Sequence, residues 1–201
     1  GSRQECAKSI ETILSTIVGD ERIKHVIIAT RGPIYITGKG YGAAEADYNG
    51  LPISYAQTNA RNTESGNAPF SKGLYATTQR LLKSGKTVSY FLQIPELGVY
   101  PYNCIGRPLS LISKPSCEIT VKDYRERMGE YRALVENIQT LLPALSVWDP
   151  QPIFCDEKYC HGLVQGRLMY ADDDHLSKEG SRLVAENFIP SLYQHKIRNS
   201  N

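Results

Sequence analysis

Three short apolar runs, each set off from the next by a stretch with helical spacing, constrain this chain more than any other feature. Residues 24–30, Lys24-His25-Val26-Ile27-Ile28-Ala29-Thr30, are β-branched and bounded by charge and by Arg31-Gly32, so they predict a buried strand. Residues 87–94 predict a second buried strand, from which Pro95-Glu96-Leu97-Gly98 turns away. Residues 145–149 predict a third and shorter one. Between and around them, helical periodicity runs over 6–18 (Ile10, Ile13, Leu14, Ile17, Val18) and over 69–82 (Leu74, Thr77, Leu81, Leu82). It returns over 121–142 (Tyr124, Met128, Tyr131, Leu134, Ile138, Leu141). Ser177 is a good N-cap for a last helix bearing Leu183, Val184, Phe188 and Ile189. Gly19 and Lys83-Ser84-Gly85 serve as stop signals. Helices alternating with short strands predict an α/β fold on a parallel sheet. No repeat or internal boundary divides the chain, so 3–201 reads as one domain, with Gly1-Ser2 a cloning scar.

Several functions are disfavoured at once. A net charge of +2 lacks the basic bias of a dedicated nucleic-acid binder. No apolar run approaches the ~18 residues of a membrane span. Residues 31–67 are rich in Gly, Asn, Thr, Ser and Tyr and predict a long functional or mobile loop. Its tyrosines Tyr35, Tyr41 and Tyr48 suit either stacking on sugar rings or packing, in a chain with 13 tyrosines. Five cysteines are present. Cys155 and Cys160, in CDEKYC, suit a short disulfide loop, and Cys104 and Cys117 suit a second, which leaves Cys6 over. Zinc held by Cys155, Cys160 and His161 is the rival. Structural zinc usually takes four ligands and paired CxxC units, which are missing, so disulfides and an oxidising compartment lead.

The segment 170–180, YADDDHLSKEG, carries the most chemistry. It falls in a loop just before the last predicted helix, and in an open parallel sheet ligands bind beyond the carboxyl ends of the strands. A carboxylate at Asp172, three residues before His175, can accept the imidazole N–H. It would fix the tautomer and stabilise the imidazolium formed when the ring takes a proton from a hydroxyl. Two other readings stand beside this one. The three aspartates suit a solvated acidic turn at a helix N-terminus, or ligands, with His175, for a metal.

The wider context adds a resemblance. The two cysteines of CDEKYC, followed by Asp172, His175-Leu176-Ser177 and Gly180, resemble the end of SGNH-type serine hydrolase domains. They are most similar to those fused to acyltransferase-3 membrane proteins, which O-acetylate bacterial surface polysaccharides. Residues 26–32 and 91–98, the Cys104 region and the helix around 124–131 look like further parts of that family. The resemblance implies a three-layer, flavodoxin-like parallel sheet with helices on both faces. It also implies a Ser-His-Asp mechanism with His175 and Asp172 as the acid–base pair, no cofactor and no metal. The implied partners are a glycan acceptor, an acyl donor and a membrane acyltransferase domain, at the periplasmic or extracytoplasmic face of the inner membrane, with no nucleic acid.

The pattern breaks at the nucleophile. Family members carry Gly-Asp-Ser at the end of the first strand. The nearest string here is Gly19-Asp20-Glu21, and a carboxylate cannot replace a hydroxyl that His175 must deprotonate. Only two residues separate Glu21 from Lys24, too few for the dozen-residue crossover between parallel strands. Gly19–Glu21 therefore reads as a helix end and turn. The serine-bearing strand is expected outside this chain, whether by truncation or on a separate chain; a serine-less relative is the other possibility. By strand position, Arg31 falls near the family's oxyanion Asn, and either stabilises developing charge or pairs with a surface carboxylate. The chain alone is expected to be inactive.

Overall fold

The computed structural model describes residues 3–48, 67–105 and 116–198. In chain order the helices are α1 Arg3–Gly19, α2 Gly32–Thr37, α3 Asn67–Lys83, α4 Pro101–Cys104, α5 Val121–Leu141, α6 Gln151–Phe154 and α7 Lys178–Arg198. The strands are β1 His25–Ala29, β2 Thr87–Phe91, β3 Glu118–Thr120, β4 Leu145–Trp148, β5 Tyr159–His161, β6 Leu163–Val164 and β7 Arg167–Leu168. The fold is α/β, with a parallel three-stranded sheet in the order β1-β2-β4. The three predicted strands and four predicted long helices are all present. None of the described helices is long and apolar enough to cross a membrane.

The described residues gather into two compact units. One comprises α1, β1, α2, α3, β2, β4 and α5 from Met128 onward. Its central strand, β2, has Val88, Ser89 and Tyr90 all buried. A central strand of a parallel sheet is covered on both faces by the packed helices, so its buried residues run together instead of alternating. Leu145 of β4 pairs with Val88, and Trp148 with Phe91, whose rings lie 4.6 Å apart. Tyr131 lies against Gly32, whose missing Cβ makes room for the ring. The Tyr131 hydroxyl donates to Tyr90 Oη at 3.0 Å, and Tyr90 shares a 2.6 Å hydrogen bond with Thr30. Burial pushes the pKa of both tyrosines up and keeps them neutral. The positive φ of Gly85 (77°) closes α3 where Lys83-Ser84-Gly85 predicts a stop.

One expectation fails in this unit. β1 is a strand but not a buried one: Ile27 is 49% exposed, and Val26 and Ile28 are only partly covered. Among the described residues β1 pairs with β2 alone, so it is a sheet edge. Strand pattern reports β-propensity, whereas burial depends on what lies alongside. Smaller differences have the same origin. The inward residues are Val135 instead of Leu134 on α5, and Thr78 instead of Thr77 on α3. Leu141, Ile189, Ile10 and Ile13 point outward. On α5 the buried positions Tyr124, Met128, Tyr131, Val135 and Ile138 repeat at alternating steps of four and three, a single stripe.

The other unit comprises α4, β3, α5 up to Arg127, α6, β5, β6, β7, α7 and a single turn of 3-10 helix at Ala43–Glu45. β3 pairs antiparallel with β5, and β6 with β7. Disulfides join Cys104 to Cys117 and Cys155 to Cys160. Glu96, with a fully buried side chain, pairs with Arg127 Nε at 2.5 Å. The Arg127 guanidinium lies 5.4 Å from the Tyr41 ring centroid. Pairing and cation–π contact compensate the loss of water around a buried charge.

Candidate functional site

The segment 170–180 is a tight loop held from several sides. Its entry is the β6–β7 hairpin, whose turn residues Gln165 and Gly166 have φ of 52° and 72°. Two-residue hairpin turns of this kind require positive φ at both positions, and an adjacent glycine eases that. Met169 N–H then donates to Gly162 O at 2.9 Å. Tyr170 is fully buried, stacks obliquely on Phe154 and donates its hydroxyl to Pro95 O at 2.7 Å. Tyr170 and Leu176 form an antiparallel bridge across the loop, and Ala171 N–H donates to His175 O at 2.8 Å. Leu97 N–H donates to Asp173 O at 2.8 Å, which ties the loop crest down.

Helix α7 starts three residues after His175, as the N-cap signal predicts. Ser177 Oγ accepts from Gly180 N–H at 3.1 Å and donates to Leu168 O at 2.7 Å. A Cβ at position 180 would collide with the Met169 carbonyl, so Gly180 is required by close approach. The dyad is therefore carried by a loop with backbone bonds at its base, crest and exit.

Within the loop Asp172 and His175 meet. His175 Nδ1 lies 3.0 Å from Asp172 Oδ2 and 3.1 Å from Oδ1. Asp172 Oδ1 also accepts the backbone N–H of His175 at 2.7 Å and of Asp174 at 3.0 Å. Burial would raise the Asp172 pKa, but these backbone N–H groups and the Asp174 and His175 side chains outweigh it and hold it below the usual value. Asp172 thus stays ionised across the neutral range. The His175 side chain is 74% exposed.

A second carboxylate reaches the same ring nitrogen: Asp174 Oδ1 lies 2.9 Å from His175 Nδ1. The sequence reading assigned the orienting role to Asp172 alone. The signal was present in the run of three aspartates, but adjacency does not say which of them turn toward the ring. Donor atoms of Asp172, Asp174 and His175 lie within 4.8 Å of one another. An exposed acidic group of this sort is common without a metal, and the Nδ1 geometry is already that of a carboxylate-oriented imidazole.

The other candidates fall elsewhere. Arg31 is in the first unit, between the end of β1 and α2, where it precedes the helix as its N-cap residue without a side-chain capping bond. Gly19 ends α1, and Asp20 is held by Arg22 at 2.7 Å in the turn that follows, so this string is a helix end and turn. The cysteines proposed as zinc ligands are bonded to each other, and a disulfide has no thiolate to offer. Both ring nitrogens of His161 face carboxylates, Nδ1 toward Glu118 at 2.8 Å and Nε2 toward Asp156 at 2.9 Å. Tyr41 packs under Arg127, while Tyr35 stacks on Phe70 with centroids 6.2 Å apart. Residues 49–66 of the long loop, residues 106–115 after Cys104, and the Cys6 side chain lie outside the described residues.

Comparison with known proteins agrees with the resemblance read from the sequence. A family model described as "SGNH domain (fused to AT3 domains)" matches residues 1–190. No curated protein matches the chain.

Proposed function

This chain belongs to the family of SGNH domains fused to AT3 (acyltransferase-3) domains, and from that premise we propose that it supplies the acid–base half of an O-acyltransferase acting on a cell-surface glycan. The observation that carries the reading is the Asp172–His175 contact at Nδ1 on a loop held by backbone bonds. With Nδ1 turned to carboxylates, proton traffic falls to Nε2. The nucleophile is a serine outside these 201 residues. Its Oγ attacks the acyl carbonyl of the donor while His175 takes the hydroxyl proton, and the imidazolium then gives that proton to the leaving group. A sugar hydroxyl, or water, next loses its proton to His175 and attacks the acyl-serine. The serine is released with the proton returned to it. Asp172 orients the ring and stabilises the imidazolium in both halves.

Two features support the remaining parts of the proposal. Among the described residues β1 pairs on one side only, unusual for a parallel sheet, and Ile27 is half exposed, as expected if a further strand pairs there. The two disulfides suit an oxidising, extracytoplasmic compartment such as the periplasm. A second reading, a non-catalytic module that binds glycan or a protein partner, is favoured by one observation: the chain has no Gly-Asp-Ser. The deciding experiment measures glycan O-acetylation by the full-length protein with His175→Ala. Loss of acetylation is expected, and unchanged acetylation would sink the acid–base assignment. The chain alone should not turn over an activated acetyl ester; turnover that disappears with His175→Ala would mean that the nucleophile lies within it.

A further inference from the structure

A hollow of about 430 Å³ opens beside the N-terminus of α5, away from the dyad loop in sequence and built from different elements. Its rim holds three cations, Lys122, Arg125 and Lys158, with one carboxylate, Glu157, and the Tyr159 ring. All five side chains are exposed. Among the described residues none of the three cations forms a salt bridge, although Glu157 lies on the same rim. Some exposed cations elsewhere are paired, as in Arg80 with Glu11, Arg182 with Glu186 and Arg167 with Glu179, and others such as Lys24 and Lys178 stand singly; what sets this rim apart is that three cations gather around one hollow.

The segregation has a simple origin. Positions 122 and 125 are three apart and share one helix face, while Asp123 and Glu126 share the next. The acidic face borders a separate hollow with Tyr41 and Arg127. A concave rim with a net positive charge, three cations to one carboxylate, concentrates field and raises the local density of anions.

The frame is built to hold this arrangement. β3 and β5 pair through Thr120 and Tyr159, which puts the start of α5 beside residues 157–159. Val121 N–H donates to Lys158 O at 2.8 Å. Asp156 Oδ1 accepts the N–H groups of Lys158 at 2.7 Å and Tyr159 at 2.8 Å. The Cys155–Cys160 disulfide closes the same loop. Thr120 Oγ1 caps α5 by accepting from Asp123 N–H at 3.0 Å. The Val121 and Asp123 backbone donors at this helix start are thus already used, and the rim offers a ligand side-chain charge plus an aromatic face.

We propose that this hollow binds an anionic sugar residue, with Lys122, Arg125 and Lys158 holding its carboxylate or phosphate and Tyr159 lying against the ring. Guanidinium and ammonium groups together suit a carboxylate or phosphate, and an exposed tyrosine offers a flat apolar face to the pyranose. The inference deepens the glycan-directed reading by naming the acceptor's chemical class. It rests on that reading only for the idea that the bound sugar is part of the acceptor.

The test is direct binding of tri-galacturonate to the purified chain, by titration calorimetry or amide NMR, with the fully methyl-esterified trisaccharide as the uncharged control. Tri-galacturonate should bind and the ester should bind at least about tenfold more weakly, as loss of several charge contacts implies. Binding should weaken with rising salt. Each of Lys122→Ala, Arg125→Ala and Lys158→Ala should weaken it about two- to fivefold, and Tyr159→Ala about threefold. Lys8→Ala, on exposed α1, is the neutral control. Equal binding of acid and ester overturns the proposal, as does indifference to the three cations. Inorganic phosphate competing as well as the sugar, with Tyr159→Ala silent, means an adventitious anion only and also overturns it. His175→Ala must leave this binding intact, so a failure of the catalytic reading and a failure of the sugar site remain separable.

Discussion

Two histidines in this molecule each meet two carboxylates, and the difference between them separates a clamp from the group proposed as acid and base. Around His161 the carboxylates sit on opposite ring nitrogens, Glu118 at Nδ1 and Asp156 at Nε2. The ring bridges β5, β3 and the turn at Asp156, and only 28% of its side chain is exposed. Around His175 both carboxylates address Nδ1, and 74% of the side chain is open to solvent. An imidazole bonded at both nitrogens is a crosslink. One held by carboxylates at Nδ1 and largely open to solvent is suited to proton exchange. Counting acidic neighbours would rank the two alike, whereas the nitrogen each neighbour reaches distinguishes them.

The largest expected effect breaks the comparison outright. In the full-length protein, His175→Ala should lower the rate of glycan acetylation by about 10²- to 10⁴-fold, the usual worth of a general base. His161→Ala should leave that rate within a few-fold once folded protein is compared. A similar rate loss in both variants would remove the distinction.

The next effect sharpens it. Asp172→Asn alone leaves Asp174 still in contact with Nδ1 and should give a partial loss, of about tenfold or more. Asp172→Asn with Asp174→Asn should approach the His175→Ala value, since orienting carboxylates act as a unit with their histidine. Additive small losses would show that neither carboxylate orients the ring.

Smaller effects concern stability. Cys155→Ser with Cys160→Ser should cost about 2 kcal/mol in a denaturant titration, the value for a very short closed loop. It should loosen the turn that carries Asp156 and leave the Asp172–His175 contact in place, as amide exchange would reveal.

The pH dependence of the His161 clamp is the smallest. Burial lowers the His161 pKa, but hydrogen bonds to Asp156 and Glu118 outweigh it, so it is raised above 6.5. That contribution is complete below the unfolded value and is lost as pH rises through the folded one. Asp156 is lowered from 3.8 to about 2, first by the Tyr159 and Lys158 backbone N–H groups and then by His161. Its contribution is present above 3.8 and lost as pH falls toward 2. His161→Gln should therefore lower the melting temperature most between these limits, at about pH 5–6, and less at pH 9. An equal drop at both values would show that ring charge is irrelevant there.

Much of this was legible in the amino-acid order. Three strands and four long helices follow from periodicity because apolar spacing and hydrogen bonding within an element involve neighbours a few residues apart. The Asp172–His175 contact was legible for the same reason, as a carboxylate three residues from an imidazole can meet it within one turn. Other features were set only by tertiary structure. Val26-Ile27-Ile28 spells a strand equally well at an edge or in a centre, and the sheet order made it an edge. His161 meets Glu118 across 43 residues through the β3–β5 pairing. The same pairing sets Lys158 and Tyr159 beside Lys122 and Arg125, residues unrelated by any spacing. Local order is written in short-range geometry, whereas a site gathered from distant segments exists only once strand register has chosen which residues face each other.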